Sequence, residues 1–250
     1  MSFGELLIDT QTPSSYICPI TKANSYQSRP MTKTRVPETN YTILGRVHAE
    51  AYDRMQADLR EKGWLETGDI LQNGIVRGCA LEVGSGPGYL GLDWLLQTSD
   101  TRLAGLDISP DMVVIARHNA QELELAGRAE HLLGSAEALP FPDNSFDGVF
   151  TSRSLHEWLN PCAIFAELWR VLKPGGRLYV SDLRRDLSLS ACNFLEQRVN
   201  SEAIRESLRA SIGSAYTLAE VMALLSMAEL PGCTVLETAL GLRVTGIKPL

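Results

Sequence analysis

The stretch Leu81-Glu82-Val83-Gly84-Ser85-Gly86-Pro87-Gly88-Tyr89-Leu90 decides the fold. The apolar run Cys79 to Val83 reads as a buried strand, and Tyr89 to Gln97 reads as a helix. Alternating glycines join them. Small residues at such a junction let the backbone turn sharply and let a ligand approach it, beside the unpaired N–H groups of a helix N-terminus. The spacing is not that of the dinucleotide fingerprint, which needs glycine where Tyr89 stands. No Gly-Lys-Ser/Thr follows, so a triphosphate loop is excluded as well.

Two carboxylates frame the loop. Glu82 ends the strand before it, and Asp107 ends the next strand, Arg102 to Leu106. A carboxylate at the second position can accept both hydrogen bonds of a ribose diol and disfavours a 2′-phosphate.

Outward from this centre, strands and helices alternate. Ser109 caps a helix expected over Pro110 to Ala126, with Gly127 as its stop. Strands are expected at Glu130 to Leu133, Phe146 to Thr151 and Arg177 to Ser181. Asn160 caps a helix through Leu172, closed by Lys173-Pro174-Gly175-Gly176. A helical stretch from Ser190 to Ala210 and a helix capped by Thr217 lead to a hairpin of Thr234 to Thr238 and Leu242 to Ile247. Ahead of the first strand, a helix is expected from Tyr41 towards Lys62, stopped by Gly63, and a short one around Leu65 to Gln72. The alternation implies an α/β fold, its parallel strands joined by right-handed crossovers.

Glu82-Val83-Gly84-Ser85-Gly86-Pro87-Gly88 resembles motif I of the class I S-adenosylmethionine-dependent methyltransferases. Asp107 matches that family's acidic residue after strand two. Gly134 to Asp147 is similar to the stretch that closes over the adenine and enters strand four, and Leu168 to Leu178 to the helix and turn before strand five. Within the family the chain looks closest to the small-molecule branch that includes quinone C-methyltransferases. The resemblance implies a Rossmann-like seven-stranded sheet, order 3-2-1-4-5-7-6 with strand 7 antiparallel and helices on both faces. It also implies S-adenosylmethionine as cofactor and S-adenosylhomocysteine as product.

Carried over by position, Gly84, Gly86 and Gly88 approach the methionine moiety and ribose, and Glu82 orients the loop or the amino group. Asp107 holds the ribose hydroxyls, Ile108 and Met112 sandwich the adenine, and Ala136 and Glu137 meet its edge. Ser152 faces the methionine end. His156, on the loop after strand four, is the candidate general base, with ordering of that loop as its other reading. Asp182 reads as a cap for the segment that follows strand five. The expected reaction is methyl transfer to a small-molecule acceptor. The alternatives are an RNA or protein acceptor, or a non-catalytic cofactor-binding subunit.

Composition bounds the rest. The chain has 250 residues and a net charge of −7, which argues against nucleic acid and anionic membrane as partners. Its five cysteines are widely spaced with no Cys-x-x-Cys, and its histidines form no ligand pair, so no metal site is expected. No apolar run reaches the ~20 residues that span a bilayer, and a cytoplasmic location is expected. Residues 1–37, rich in proline, serine and threonine, are expected to be either a tail or a cover over the site, and residues 38–250 the methyltransferase domain. The oligomeric state is left open.

Overall fold

The computed structural model describes residues 34–38, 46–199 and 202–250. Seven strands form one sheet: β1 (Cys79–Val83), β2 (Arg102–Asp107), β3 (Ala129–Leu133), β4 (Phe146–Ser152), β5 (Leu172–Asp182), β6 (Cys233–Glu237) and β7 (Leu242–Ile247). Their order is β3-β2-β1-β4-β5-β7-β6, as expected. The first five pair in parallel, and β7 runs antiparallel to both β5 and β6. The sequence order reverses at β1, between β2 and β4, so the loop after β1 opens at the switch point where ligands bind in such sheets.

Period-two alternation sends side chains to two cores. Leu81, Val149, Leu178 and Val180 face one layer with helices α5 (Pro161–Val171) and α8 (Leu218–Met227). Ala80, Phe150 and Tyr179 face the other, with α2 (Thr67–Gln72), α3 (Tyr89–Leu96) and α4 (Pro110–Glu122). Trp94 anchors that second layer by donating its indole N–H to the Ile75 carbonyl at 2.7 Å. A smaller cluster of Leu183, Leu187, Leu195 and Ala215 joins α6 (Leu189–Glu196) and α7 (Glu202–Ser214). α1 (Arg46–Glu61) packs on α3 and α4.

Most helix ends obey the expected signals. Gly63 stops α1 at φ +65, the Ser109 hydroxyl accepts the Met112 N–H, and Thr217 forms a reciprocal capping box with Glu220. Three boundaries differ. α4 ends at Glu122 rather than Ala126, because Glu124 takes the left-handed conformation (φ +57). Its N–H and that of Leu125 then close back on Gln121 and Ala120, which seats Leu125 in the core. β5 begins at Leu172 rather than Arg177; the Lys173–Gly176 turn is absorbed as a register shift, held where the Gly175 N–H donates to the Lys248 carbonyl at 2.8 Å. The stretch from Ser190 to Ala210 is two helices, α6 and α7, since one straight helix would carry Leu208 and Ile212 away from Leu183 and Leu187. The expected start of α1 at Tyr41 lies outside the described residues.

His131 on β3 is buried beneath Gly88, and neither ring nitrogen has a hydrogen-bond partner among the described residues. Burial, and then the nearby Arg117 cation, lower its pKa from 6.5 to about 4. Between these values the unfolded chain takes up a proton that the folded chain refuses, so stability falls as pH drops. The loss from this group should approach about 3 kcal/mol by pH 4. Denaturant unfolding at pH 7 and pH 5 should show a smaller pH-dependent loss in His131→Leu than in the parent. An equal loss in both would place the acid sensitivity elsewhere.

Candidate active site

The loop after β1 is held by backbone bonds to the end of β2. The Gly84 and Ser85 N–H groups both donate to the Leu106 carbonyl, at 2.8 and 3.1 Å. Gly84, Gly86 and Gly88 lie at φ +64, +51 and +84, a conformation that L side chains resist. Asp107 completes the clasp: Oδ2 accepts the Gly86 N–H at 2.7 Å and Oδ1 the Ser109 N–H at 2.8 Å. Burial raises the Asp107 pKa above the usual carboxylate value, and the N–H groups of Ser109 and Gly86 only partly offset it. The expected ribose acceptor is therefore also the residue that ties the two loops together.

Glu82 is 3 % exposed and tucked below the loop against α3. Its carboxyl fits there because Gly91 has no side chain; a Cβ at that position would collide with Glu82 Oε2. Burial pushes its pKa well above the ordinary range, opposed by the Gly91 N–H and reinforced by the negative charge of Asp107. Oε2 has no hydrogen-bond partner among the described residues. Glu82, Gly84, Gly86 and Ser152 line a small cavity of about 50 Å³, together with Tyr52 and Arg153. Gly84, Asp107, Ile108, Ala136 and Glu137 line an adjoining one of about 150 Å³, closed on its far side by Glu157 and Trp158. Gly88 lies outside both, as the residue before α3, packed on His131 and Ala116. Met112 also lines neither cavity; it is 2 % exposed in the core, while Ile108 is 55 % exposed.

The other side is built on the loop after β4. Arg153 turns the chain at φ +58, its N–H donating to the Ser181 carbonyl at 2.9 Å. A single 3-10 turn, Leu155–Glu157, then buries His156. Asp182, at the end of β5, accepts the His156 backbone N–H at 2.6 Å and stands 2.9 and 3.0 Å from Nδ1. It also accepts the Leu183 N–H at 2.6 Å, as the sequence reading expects of a cap. The other ring nitrogen, Nε2, points at Glu38, 3.6 Å away, and Glu157, 3.8 Å away. Burial lowers the His156 pKa, but the charge and hydrogen bond of Asp182, then Glu157 and Glu38, outweigh it and bring the value to about 9. At neutral pH the expected base thus already holds its proton. Glu157 is pushed up to about 7, chiefly by burial and against the attraction of His156.

A third cavity, of about 550 Å³, lies between α1, α6, α7 and this turn. Its walls are mostly apolar, with Met55, Trp64, Leu195 and Leu208 among them, and His156 and Glu157 at one end. Tyr52 and Arg153 line both this cavity and the smallest one, and Glu157 lines both this and the 150 Å³ cavity. The three spaces therefore share walls at the carboxyl ends of β1, β2 and β4.

Sequence reasoning missed the pairing of Asp182 with His156, and missed Glu38. Asp182 repeats the strand-end position of Asp107, a signal open to reading. Glu38 carries no local signal; it arrives because Arg35 donates to the carbonyls of Ser214 (2.6 Å) and His156 (2.9 Å). Of the expected cover at residues 1–37, residues 1–33 lie outside the described residues, and Thr34–Glu38 run alongside α7 through a bond from the Val36 N–H to the Gly213 carbonyl.

Residues 81–180 match the methyltransferase domain family. The ubiquinone/menaquinone biosynthesis C-methyltransferase UbiE of Enterobacter sp. is 33 % identical over 117 residues, 46 % of this chain and 47 % of that protein. The biotin biosynthesis bifunctional protein BioHC of Teredinibacter turnerae is 38 % identical over 109 residues, 41 % of this chain and 19 % of that protein. The chain thus spans about half, or less, of the length of these curated relatives. Among solved structures, an S-adenosylmethionine-dependent methyltransferase of Aquifex aeolicus has a TM-score of 0.62 at 22 % identity, covering 82 % of this chain and 98 % of that one. A protein of Methanococcus maripaludis reaches 0.69 at 22 % identity, covering 87 % and 98 %. At such identity these structures show the shared fold.

Asp107→Ala removes two charge-assisted bonds to loop N–H groups, each worth roughly 1.5–3 kcal/mol. Denaturant unfolding should show a loss of about 1–3 kcal/mol once water has partly replaced them, and calorimetry at least a tenfold loss of affinity for S-adenosylhomocysteine. Unchanged affinity in the folded variant would remove Asp107 from the ligand site. For Glu82 the sign is opposite to that of an ion-paired acid. Its folded pKa lies above the unfolded value of 4.5, so its contribution to stability declines as pH rises above 4.5. Glu82→Gln should gain stability relative to the parent as pH goes from 5 to 8, while losing cofactor affinity. A difference in melting temperature that does not change with pH would refute the assignment of a raised pKa.

Proposed function

We propose that this chain, whose residues 81–180 match the methyltransferase domain family, is a class I S-adenosylmethionine-dependent methyltransferase that transfers a methyl group to a small-molecule acceptor with a largely apolar body. The observation that carries this reading is the shared wall of three cavities, two around the glycine loop and one of about 550 Å³ beside them. The similarity to a quinone C-methyltransferase over part of the chain supports it.

The residues present fit the cofactor. Glu82 Oε2, buried and without a hydrogen-bond partner among the described residues, suits an ammonium group beside the glycine loop. Asp107 keeps carboxylate lone pairs towards the 150 Å³ cavity, and Ile108 offers an exposed apolar face there. When bound, the cofactor supplies a methyl group already activated on a sulfonium. What remains for the chain is alignment and the exclusion of water, which together can lower the barrier by several kcal/mol. Asp107 and the glycine loop fix one partner. Tyr52 and Arg153 stand at the boundary where the other must enter. The apolar walls of the large cavity hold the acceptor body, and the polar end at His156 and Glu157 orients its reactive end.

Calorimetry should show binding of S-adenosylmethionine and S-adenosylhomocysteine, with little binding of NAD. Ala51→Phe narrows the large cavity from α1. It should reduce turnover of bulky apolar acceptors at least about tenfold, a change of about 1.4 kcal/mol, and leave S-adenosylhomocysteine affinity within twofold. Preferential binding of NAD, or turnover indifferent to the narrowed cavity, would overturn the reading.

A further inference from the structure

Glu38 meets His156 and Glu157, neighbours on one turn far from it in sequence, at a single point. The side chains of His156 and Glu38 are 4 % and 6 % exposed, and that of Glu157 is 39 % exposed. Nε2 stands 3.6 Å from a Glu38 oxygen and 3.8 Å from a Glu157 oxygen. These separations are too long for hydrogen bonds. They lie near the roughly 3.4 Å between two ligands that share a four-coordinate ion at about 2.1 Å from each. The ring is buried and its Nε2 is aimed at the two carboxylates.

The opposite side of the ring is fixed. Nδ1 faces both oxygens of Asp182, at 2.9 and 3.0 Å, and the backbone N–H of the same histidine is held by the same carboxylate. A histidine that donates Nδ1–H to a carboxylate presents its Nε2 lone pair as a ligand, the arrangement that orients metal-binding histidines generally.

We propose that His156, Glu38 and Glu157 form a site for a divalent first-row transition ion, with an open coordination position towards the 550 Å³ cavity. One imidazole and two carboxylates suit zinc, manganese, iron or cobalt, and there is no thiolate in the donor set. His156 and Glu157 both line that cavity, and Glu157 also lines the cavity at Asp107. The ion would therefore lie where an acceptor oxygen must sit to face the cofactor, and a hydroxyl or enol bound to it gives up its proton to solvent more readily. That last role rests on the proposed methyl transfer; the ion site itself does not. Asp182 is a positioning residue, acting through His156.

The test uses the full chain, freed of metal by a chelator and titrated with Co²⁺ alone. One Co²⁺ per chain should bind with the visible ligand-field bands of a four- or five-coordinate site, and Zn²⁺ should displace it. His156→Gln should abolish the bands, and Glu38→Gln and Glu157→Gln should each weaken binding at least tenfold. Asp182→Asn keeps all three ligands, and should weaken binding by about 10–100-fold. If His156→Gln fails to fold, Glu157→Gln, at a partly exposed position, carries the test. Absence of the bands, a thiolate charge-transfer band, or bands unchanged in Glu157→Gln and Glu38→Gln would overturn the site and leave a proton between the carboxylates. Calorimetry with S-adenosylhomocysteine on the metal-free protein separates the two proposals. Lost cofactor binding beside an intact cobalt site would remove the methyl-transfer reading and keep the ion.

Discussion

One carboxylate governs the geometry of the glycine loop. Asp107 accepts an N–H from the loop after β1 and another from the loop after β2, so neither loop can move without the other. The parallel register of β1 and β2 places Val83 beside Leu106 and delivers both loops to the same edge of the sheet. The Leu106 carbonyl then takes the Gly84 and Ser85 N–H groups, and the glycines bend the chain into α3. Gly86 can meet Asp107 only because its φ is positive. The cavities on this side are what remains once those bonds are made.

Asp182 does for the loop after β4 what Asp107 does for the loop after β1. It too ends a parallel strand, and it too accepts backbone N–H groups from a neighbouring segment and from its own loop. The difference lies in what it holds. Asp107 holds glycine backbone and leaves an open floor, whereas Asp182 holds an imidazole and fixes the direction of its second nitrogen. Two strand ends separated by β1 and β4 in the sheet thus each fix a neighbouring loop, and the large cavity borders the second.

How much of this was legible in the sequence depends on the range of the interaction. The glycine loop, Asp107 and the caps at Ser109, Asn160 and Thr217 are local patterns, in which a residue and its partner lie within a few positions or at matching strand ends. The sheet order follows from the same motifs once the family resemblance is drawn. The boundaries that escaped are those where tertiary packing overrides a local stop: Glu124 rather than Gly127 ends α4 because Leu125 must reach the core. The convergence of Glu38, His156 and Asp182 has no period or spacing at all. It is made by Arg35 bridging two carbonyls and by the order of β4 and β5 in the sheet. The general-base reading of His156 shows the same limit: the residue type was visible, but the carboxylates that change its chemistry were not.

Four of the buried polar atoms without partners among the described residues lie around the glycine loop, and that placement ties stability to function. Glu82 Oε2, Ser85 Oγ and both nitrogens of His131 are buried without hydrogen-bond partners among the described residues, all around the glycine loop. Each costs on the order of 1–3 kcal/mol relative to a satisfied or apolar group. Apolar replacements of similar shape would stabilise the fold, and the two apolar cores nearby show that this sequence can fill such space with leucine and valine. Retaining polar groups at the loop is therefore consistent with a requirement other than folding. A ligand that brings an ammonium or a hydroxyl to Glu82 converts part of that cost into binding energy, because the carboxyl is desolvated before the ligand arrives. The loop is pre-formed, its carboxylates are already stripped of water, and the strain that a flexible binding site would incur on closure is here built in during folding.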